Sequence, residues 1–132
     1  MTKHVLIMED NVELALEWRD AFVLNENEVT LSYSGEDAIA HLDRTKFDLV
    51  VTDMFVPGQK GGLNVIGKIL RMRFDAPPVI AVTGKRRHKD NKEDMNFFLK
   101  QVTSLGVSAT LEKPFAPAEL ILLAHEIWDR KT

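Results

Sequence analysis

Four short polar motifs carry the chemistry open to this chain: Glu9-Asp10, Asp53, Thr83-Gly84 and Lys113-Pro114. Each stands at or just beyond the end of a short apolar run. Together they offer three acids, a hydroxyl and an ammonium group. Three carboxylates held close together repel one another and resist ionisation unless a cation compensates them. An all-oxygen set of this kind suits Mg²⁺, which takes one or two carboxylates together with water and phosphate oxygen. Such an ion neutralises charge on an incoming phosphoryl group, whose transfer depends mainly on positioning and charge stabilisation. In that chemistry Asp53 is the carboxylate nucleophile and forms an acyl phosphate. Lys113 supplies the opposite charge to another phosphate oxygen. The Thr83 hydroxyl hydrogen-bonds a third, and its movement reshapes the nearby surface.

Each motif also has a plainer reading. Asp10 or Asn11 suits the cap of a helix that begins just there. Asp53 precedes Pro57-Gly58 and could serve a turn. Thr83 could simply end a strand, and Lys113 could be an ordinary surface lysine. What favours chemistry is joint placement, and that depends on the elements carrying the motifs.

Short apolar runs recur at Val5–Met8, Val29–Tyr33, Leu49–Thr52, Val79–Val82 and Ala109–Leu111. The first, third and fourth are almost continuously apolar, as parallel strands covered on both faces should be. Between the runs lie stretches of helical period. Leu14, Ala15, Trp18 and Phe22 form one stripe; Ala38, Ile39 and Leu42 form a second; Val65, Ile66, Ile69 and Leu70 form a third. A fourth spans about Lys92 to Leu105, with Phe98, Val102 and Leu105 inward. The last starts near Pro117, a good first-turn residue, and buries Leu120, Ile121, Ala124 and Trp128. The aromatic and Met residues on these stripes read as core packing rather than a cofactor pocket. Five β–α units in succession predict an α/β fold, doubly wound, with helices on both faces of a parallel sheet. In such sheets ligands bind beyond the carboxyl ends of the strands, and all four polar motifs fall at those ends.

At 132 residues the chain fits one domain, with 45% apolar and 28% charged residues as in ordinary globular proteins. A net charge of −3 gives no electrostatic case for nucleic acid or a membrane surface. With no cysteine there is no disulfide, thiol catalysis or cysteine zinc site. His4, His41, His88 and His125 form no metal-ligand spacing. The apolar run before the first acids is only four residues long, too short for a signal peptide, and no run is long enough to span a membrane. A cytoplasmic protein is expected.

Taken together, Glu9-Asp10, Thr52-Asp53-Met54 with Pro57, Thr83-Gly84, Gly106 and Lys113-Pro114-Phe115 make the chain resemble the receiver domain of bacterial two-component response regulators, over its whole length. The resemblance implies a flavodoxin-like (βα)5 three-layer sandwich with strand order 2-1-3-4-5. It implies that Glu9, Asp10, Asp53 and the backbone carbonyl of Phe55 hold Mg²⁺, and that Asp53 is the phosphoacceptor. Thr83 is then the switch hydroxyl, Lys113 the phosphate-binding cation, and Lys113-Pro114 a cis peptide. The implied phosphate source is a histidine kinase or histidine phosphotransfer protein, and the output is contact with a downstream protein target of unknown identity. On this reading residues 1–132 form one receiver without an output domain, a monomer or weak homodimer. It is no enzyme beyond catalysing its own phosphorylation and dephosphorylation.

Three features depart from the usual receiver. The loop Gln59-Lys60-Gly61-Gly62-Leu63 carries an additional residue, which its glycines should absorb. Thr110 occupies the position of the aromatic residue that swings as the switch hydroxyl moves. The basic-to-mixed stretch from Lys85 to Asp94 lengthens the segment between Thr83 and Lys113. That stretch reads either as solvated surface or as a docking element for an acidic partner, and Lys85 lies where the family tunes phosphate lifetime. A degenerate receiver, binding proteins without phosphorylation, is the alternative that Thr110 keeps open. No G-x-x-x-x-G-K-[ST], G-x-G-x-x-G or Ser-His-Asp pattern supports a nucleotide or hydrolytic enzyme.

Overall fold

A computed structural model describes residues 2–54, 62–72, 75–84 and 106–130. Phe55, most of the loop at 59–63, the basic stretch 85–94 and the expected helix at 92–105 lie outside the described residues.

Five strands form one parallel sheet: β1 (His4–Met8), β2 (Glu28–Ser32), β3 (Leu49–Asp53), β4 (Val79–Gly84) and β5 (Ala109–Lys113), in the order β2-β1-β3-β4-β5. This is the flavodoxin-like order expected. The central strands are the apolar ones: all five residues of β3 are buried, as are the first five of β4 and the last four of β1. Parallel strands need crossover connections, and among the described residues helices supply those from β1 to β2, β2 to β3 and β3 to β4. The described helices are α1 (Val12–Leu24), α2 (Gly35–Arg44), α3 (Gly62–Leu70) and a final helix, Pro117–Arg130. None of them is long and apolar enough to cross a membrane.

Because side chains alternate along a strand, the sheet feeds two separate cores. Val5, Ile7 and Leu49 point toward Trp18 and Phe22 of α1 and Leu120 of the final helix. Leu6, Met8 and Val50 point the other way, toward Leu42 of α2 and Ile66 and Ile69 of α3. Helices therefore cover both faces, giving three layers.

Local signals set the helix starts. Asn11, in extended conformation, caps α1 with its Oδ1 accepting from the Leu14 N–H at 3.1 Å. Ser34 caps α2 in the same way, accepting from Asp37 N–H at 3.2 Å. Glu36 and Asp37 then sit in the first turn of α2 and His41 and Arg44 in its last, each matching the sign of the helix dipole. Pro117 does open the final helix.

Two stripe assignments need adjustment. Leu70 was expected inward but is 47% exposed, because α3 ends there and the chain turns away. On the final helix Ile127 completes the buried stripe with Leu120 and Ala124. Trp128 is only half-buried, and its indole N–H donates to the Asp48 carbonyl at 3.0 Å. An indole with a polar group needs such a partner at a boundary.

Candidate functional site

The parallel register brings the strand ends to one rim. Met8 pairs with Thr52 and Asp53 with Val82, so Glu9, Asp53 and Thr83 emerge from three adjacent strands. On the next strand Gly84 pairs with Lys113. Residues from four elements of the sequence thus reach one spot because their strands share a direction.

Glu9, Asp10 and Asp53 each offer one carboxylate oxygen, and these oxygens all lie within 4.8 Å of one another. Glu9 and Asp53 are buried, whereas Asp10 is partly open to solvent. Lys113 bridges the two buried acids. Its Nζ is 2.6 Å from Glu9 Oε1 and donates to Asp53 Oδ2 at 3.0 Å. The other oxygen of Glu9, Oε2, accepts the Asn11 N–H at 2.9 Å. The residue that caps α1 therefore also fixes Glu9.

Burial lifts the Glu9 carboxyl from its ordinary 4.5 to about 7, with the neighbouring Asp53 charge and Asp10 adding to the rise. Its contacts with Lys113 and the Asn11 N–H oppose that rise without cancelling it. For Lys113 burial alone would depress the pKa, but contact with Glu9 and Asp53 outweighs it and the net direction is upward. Among the described residues the acid cluster has one ammonium group beside it, Lys113, and is under-compensated by it. A divalent cation on the carboxylate oxygens would relieve that imbalance, and an all-oxygen donor set fits Mg²⁺.

Thr83 is 1% exposed at the end of β4, and its Oγ1 finds no hydrogen-bond partner among the described residues. A buried hydroxyl left unpaired is costly, so it is available to an acceptor that enters the site. Thr110, paired with Ala81, is only half-buried on the edge strand β5. The Lys113-Pro114 peptide is cis, as the resemblance implied. The Phe55 carbonyl lies outside the described residues.

One neighbour was not foreseen in this role. Trp18 of α1 is buried as expected for a core residue, yet Lys113 Nζ lies over its ring, 5.7 Å from the centroid. The Phe115 ring stacks on the same indole, with centroids 5.3 Å apart and planes at 25°. Sequence period alone gives Trp18 a face, not a partner 95 residues away.

The family model described as response regulator receiver domain matches residues 5–125. Regulatory protein VanR of Enterococcus faecium is 30% identical over 124 residues, covering 92% of this chain and 48% of VanR. The chain thus spans about half the length of that relative. Among solved structures, the receiver domain of Francisella response regulator 1452 superposes with a TM-score of 0.76 at 26% identity, covering 98% of this chain and 99% of that one. The receiver domain of sensor histidine kinase PA1611 from Pseudomonas aeruginosa has a TM-score of 0.75 at 23% identity, covering 96% and 97% of the two chains. That structure carries a magnesium ion coordinated in its active-site cleft.

Proposed function

Since the chain belongs to the response regulator receiver domain family, we propose that Asp53 accepts a phosphoryl group from a histidine kinase or histidine phosphotransfer protein. The observation that carries this reading is the meeting of Glu9, Asp10 and Asp53 oxygens within 4.8 Å, with Lys113 on the two buried acids.

Glu9, Asp10 and Asp53 would hold Mg²⁺, and the ion would supply charge neutralisation for the transferring group. In the transfer an Asp53 carboxylate oxygen forms the new P–O bond while the donor's P–N bond breaks. The electron pair of that bond returns to the imidazole nitrogen. Lys113, already 3.0 Å from Asp53 Oδ2, follows the developing negative charge onto a phosphate oxygen. The buried Thr83 hydroxyl, without a partner among the described residues, donates to another. Hydrolysis of the acyl phosphate restores the carboxylate, so the protein turns over nothing but its own phosphate. The signal leaves as altered contact with a downstream protein.

Incubation with Mg²⁺ and acetyl phosphate should add one phosphoryl group, read as a mass increase of about 80 Da. Beryllofluoride should bind at the same place. Asp53→Asn should lose both responses. Phosphorylation that survives Asp53→Asn would refute the assignment of Asp53, and no response in the wild type would refute phosphoryl acceptance.

A further inference from the structure

The indole of Trp18 touches both residues that flank the cis proline at the end of β5. Lys113 Nζ lies 5.7 Å from the ring centroid, and Phe115 stacks on the same indole at 5.3 Å. Trp18 itself is 1% exposed and belongs to the core cluster that includes Phe22, Leu120 and apolar residues of the sheet. From the geometry we propose that Trp18 is a positioning residue for phosphoryl transfer, holding the Lys113 ammonium toward Asp53 from the side of α1. This rests on the reading of Asp53 as phosphoacceptor.

A lysine reaches its target on a flexible four-carbon stem and loses much rotamer freedom when it is fixed. Here the contacts that could fix it come from two directions. The Glu9 and Asp53 carboxylates attract the ammonium group from the sheet rim, and the negative face of an aromatic ring attracts it from the helix. Glu9 and Asp53 would themselves be drawn on by Mg²⁺ and by phosphate. The ring contact is the one that neither ligand competes for. It therefore persists while the carboxylate contacts are exchanged for phosphate oxygen, and limits how far the ammonium group can stray. The Phe115 stack ties the same indole to the backbone just beyond Lys113, so α1 and the end of β5 keep a fixed separation.

The test measures phosphorylation by acetyl phosphate for wild type, Trp18→Phe, Trp18→Leu, Lys113→Ala and the Trp18→Leu/Lys113→Ala double variant. Thermal melting confirms that each is folded at the assay temperature. Trp18→Leu should slow phosphorylation by about three- to tenfold and Trp18→Phe by less, following the order of cation attraction. In the Lys113→Ala background the effect of Trp18→Leu should vanish, since the ring acts through the ammonium group. A purely structural tryptophan would slow both backgrounds alike, and that result overturns the proposal. So does a wild-type rate in Trp18→Leu. If Trp18→Leu fails to fold, Trp18→Phe decides by the same comparison with and without Lys113→Ala. A wild type that takes no phosphate at all overturns the functional reading and this proposal together, whereas a phosphorylated wild type with an inert Trp18 overturns this one alone.

Discussion

Replacing Glu9 by Gln tests the electrostatics of the acid cluster, because the amide has nearly the shape of the protonated carboxyl and carries no charge. In the unfolded chain Glu9 releases its proton near its ordinary 4.5, while burial lifts the folded value to about 7. Between these values the folded state holds a proton that the unfolded state has lost. The stability from this group is therefore fully present below pH 4.5 and is lost as pH rises through 7. At about 1.4 kcal/mol for each pH unit, the interval corresponds to about 3 kcal/mol at pH 8. Glu9 is fully buried, so bulk solvent does not screen this cost away. The attraction of Lys113 is already contained in the folded value. With EDTA present, urea unfolding should find Glu9→Gln more stable than wild type by about 2–3 kcal/mol at pH 8, and by less than about 1 kcal/mol at pH 5. Adding Mg²⁺ should raise the wild type more than the variant, because a ligand that binds only the folded state stabilises it by mass action. A variant less stable than wild type at pH 8, or a difference that does not change with pH, would refute the reasoning.

Lys113→Ala leaves two buried carboxylates without their shared counter-charge. With EDTA at pH 8 it should destabilise by about 2 kcal/mol, less than a fully buried pair would, since Lys113 keeps 23% exposure; urea unfolding measures the loss. Gly106 has φ +103°, and among the described residues a Cβ there would meet Leu70 at 3.8 Å, an ordinary contact. Gly106→Ala should therefore cost about 1–2 kcal/mol through its backbone conformation, seen as a lower Tm. Asn11→Ala removes the cap of α1 and should cost about 1 kcal/mol in the same unfolding assay. Its backbone N–H to Glu9 is unaffected, so Mg²⁺ affinity should fall little.

Much of this was legible from the sequence, and for identifiable reasons. The runs at Val5, Leu49 and Val79 are apolar on every residue or nearly so because their strands are covered on both faces, and only central parallel strands demand that. Once the strands are parallel, Glu9, Asp53, Thr83 and Lys113 must share a rim, whatever the loops do. Helix ends were harder. Leu70 fits the periodic stripe of α3 but stands where the helix stops, and periodicity carries no information about what lies beyond a terminus. Of the two residues suited to cap α1, structure selects Asn11, while Asp10 goes to the acid cluster. The contact of Trp18 with Lys113 was hidden for a different reason. It depends on where the fold sets Trp18 of α1 relative to the end of β5, which no local pattern encodes.

The register also constrains how this protein comes together in time. Val5 pairs with Leu49, Val50 with Val79 and Ile80 with Ala109, so every rung joins residues far apart in the chain. Loops of that length must close before any rung contributes, which makes such sheets slow to form. Glu9 and Asp53 stand at the ends of adjacent strands near the centre, while their counter-charge arrives on the outermost one. An ensemble in which β1, β3 and β4 have met and β5 has not would hold two neighbouring carboxylates without the Lys113 ammonium group beside them. Pairing of β5 with β4 therefore also brings the Lys113 ammonium group to the carboxylates of Glu9 and Asp53, so completing the sheet and compensating its buried acids coincide.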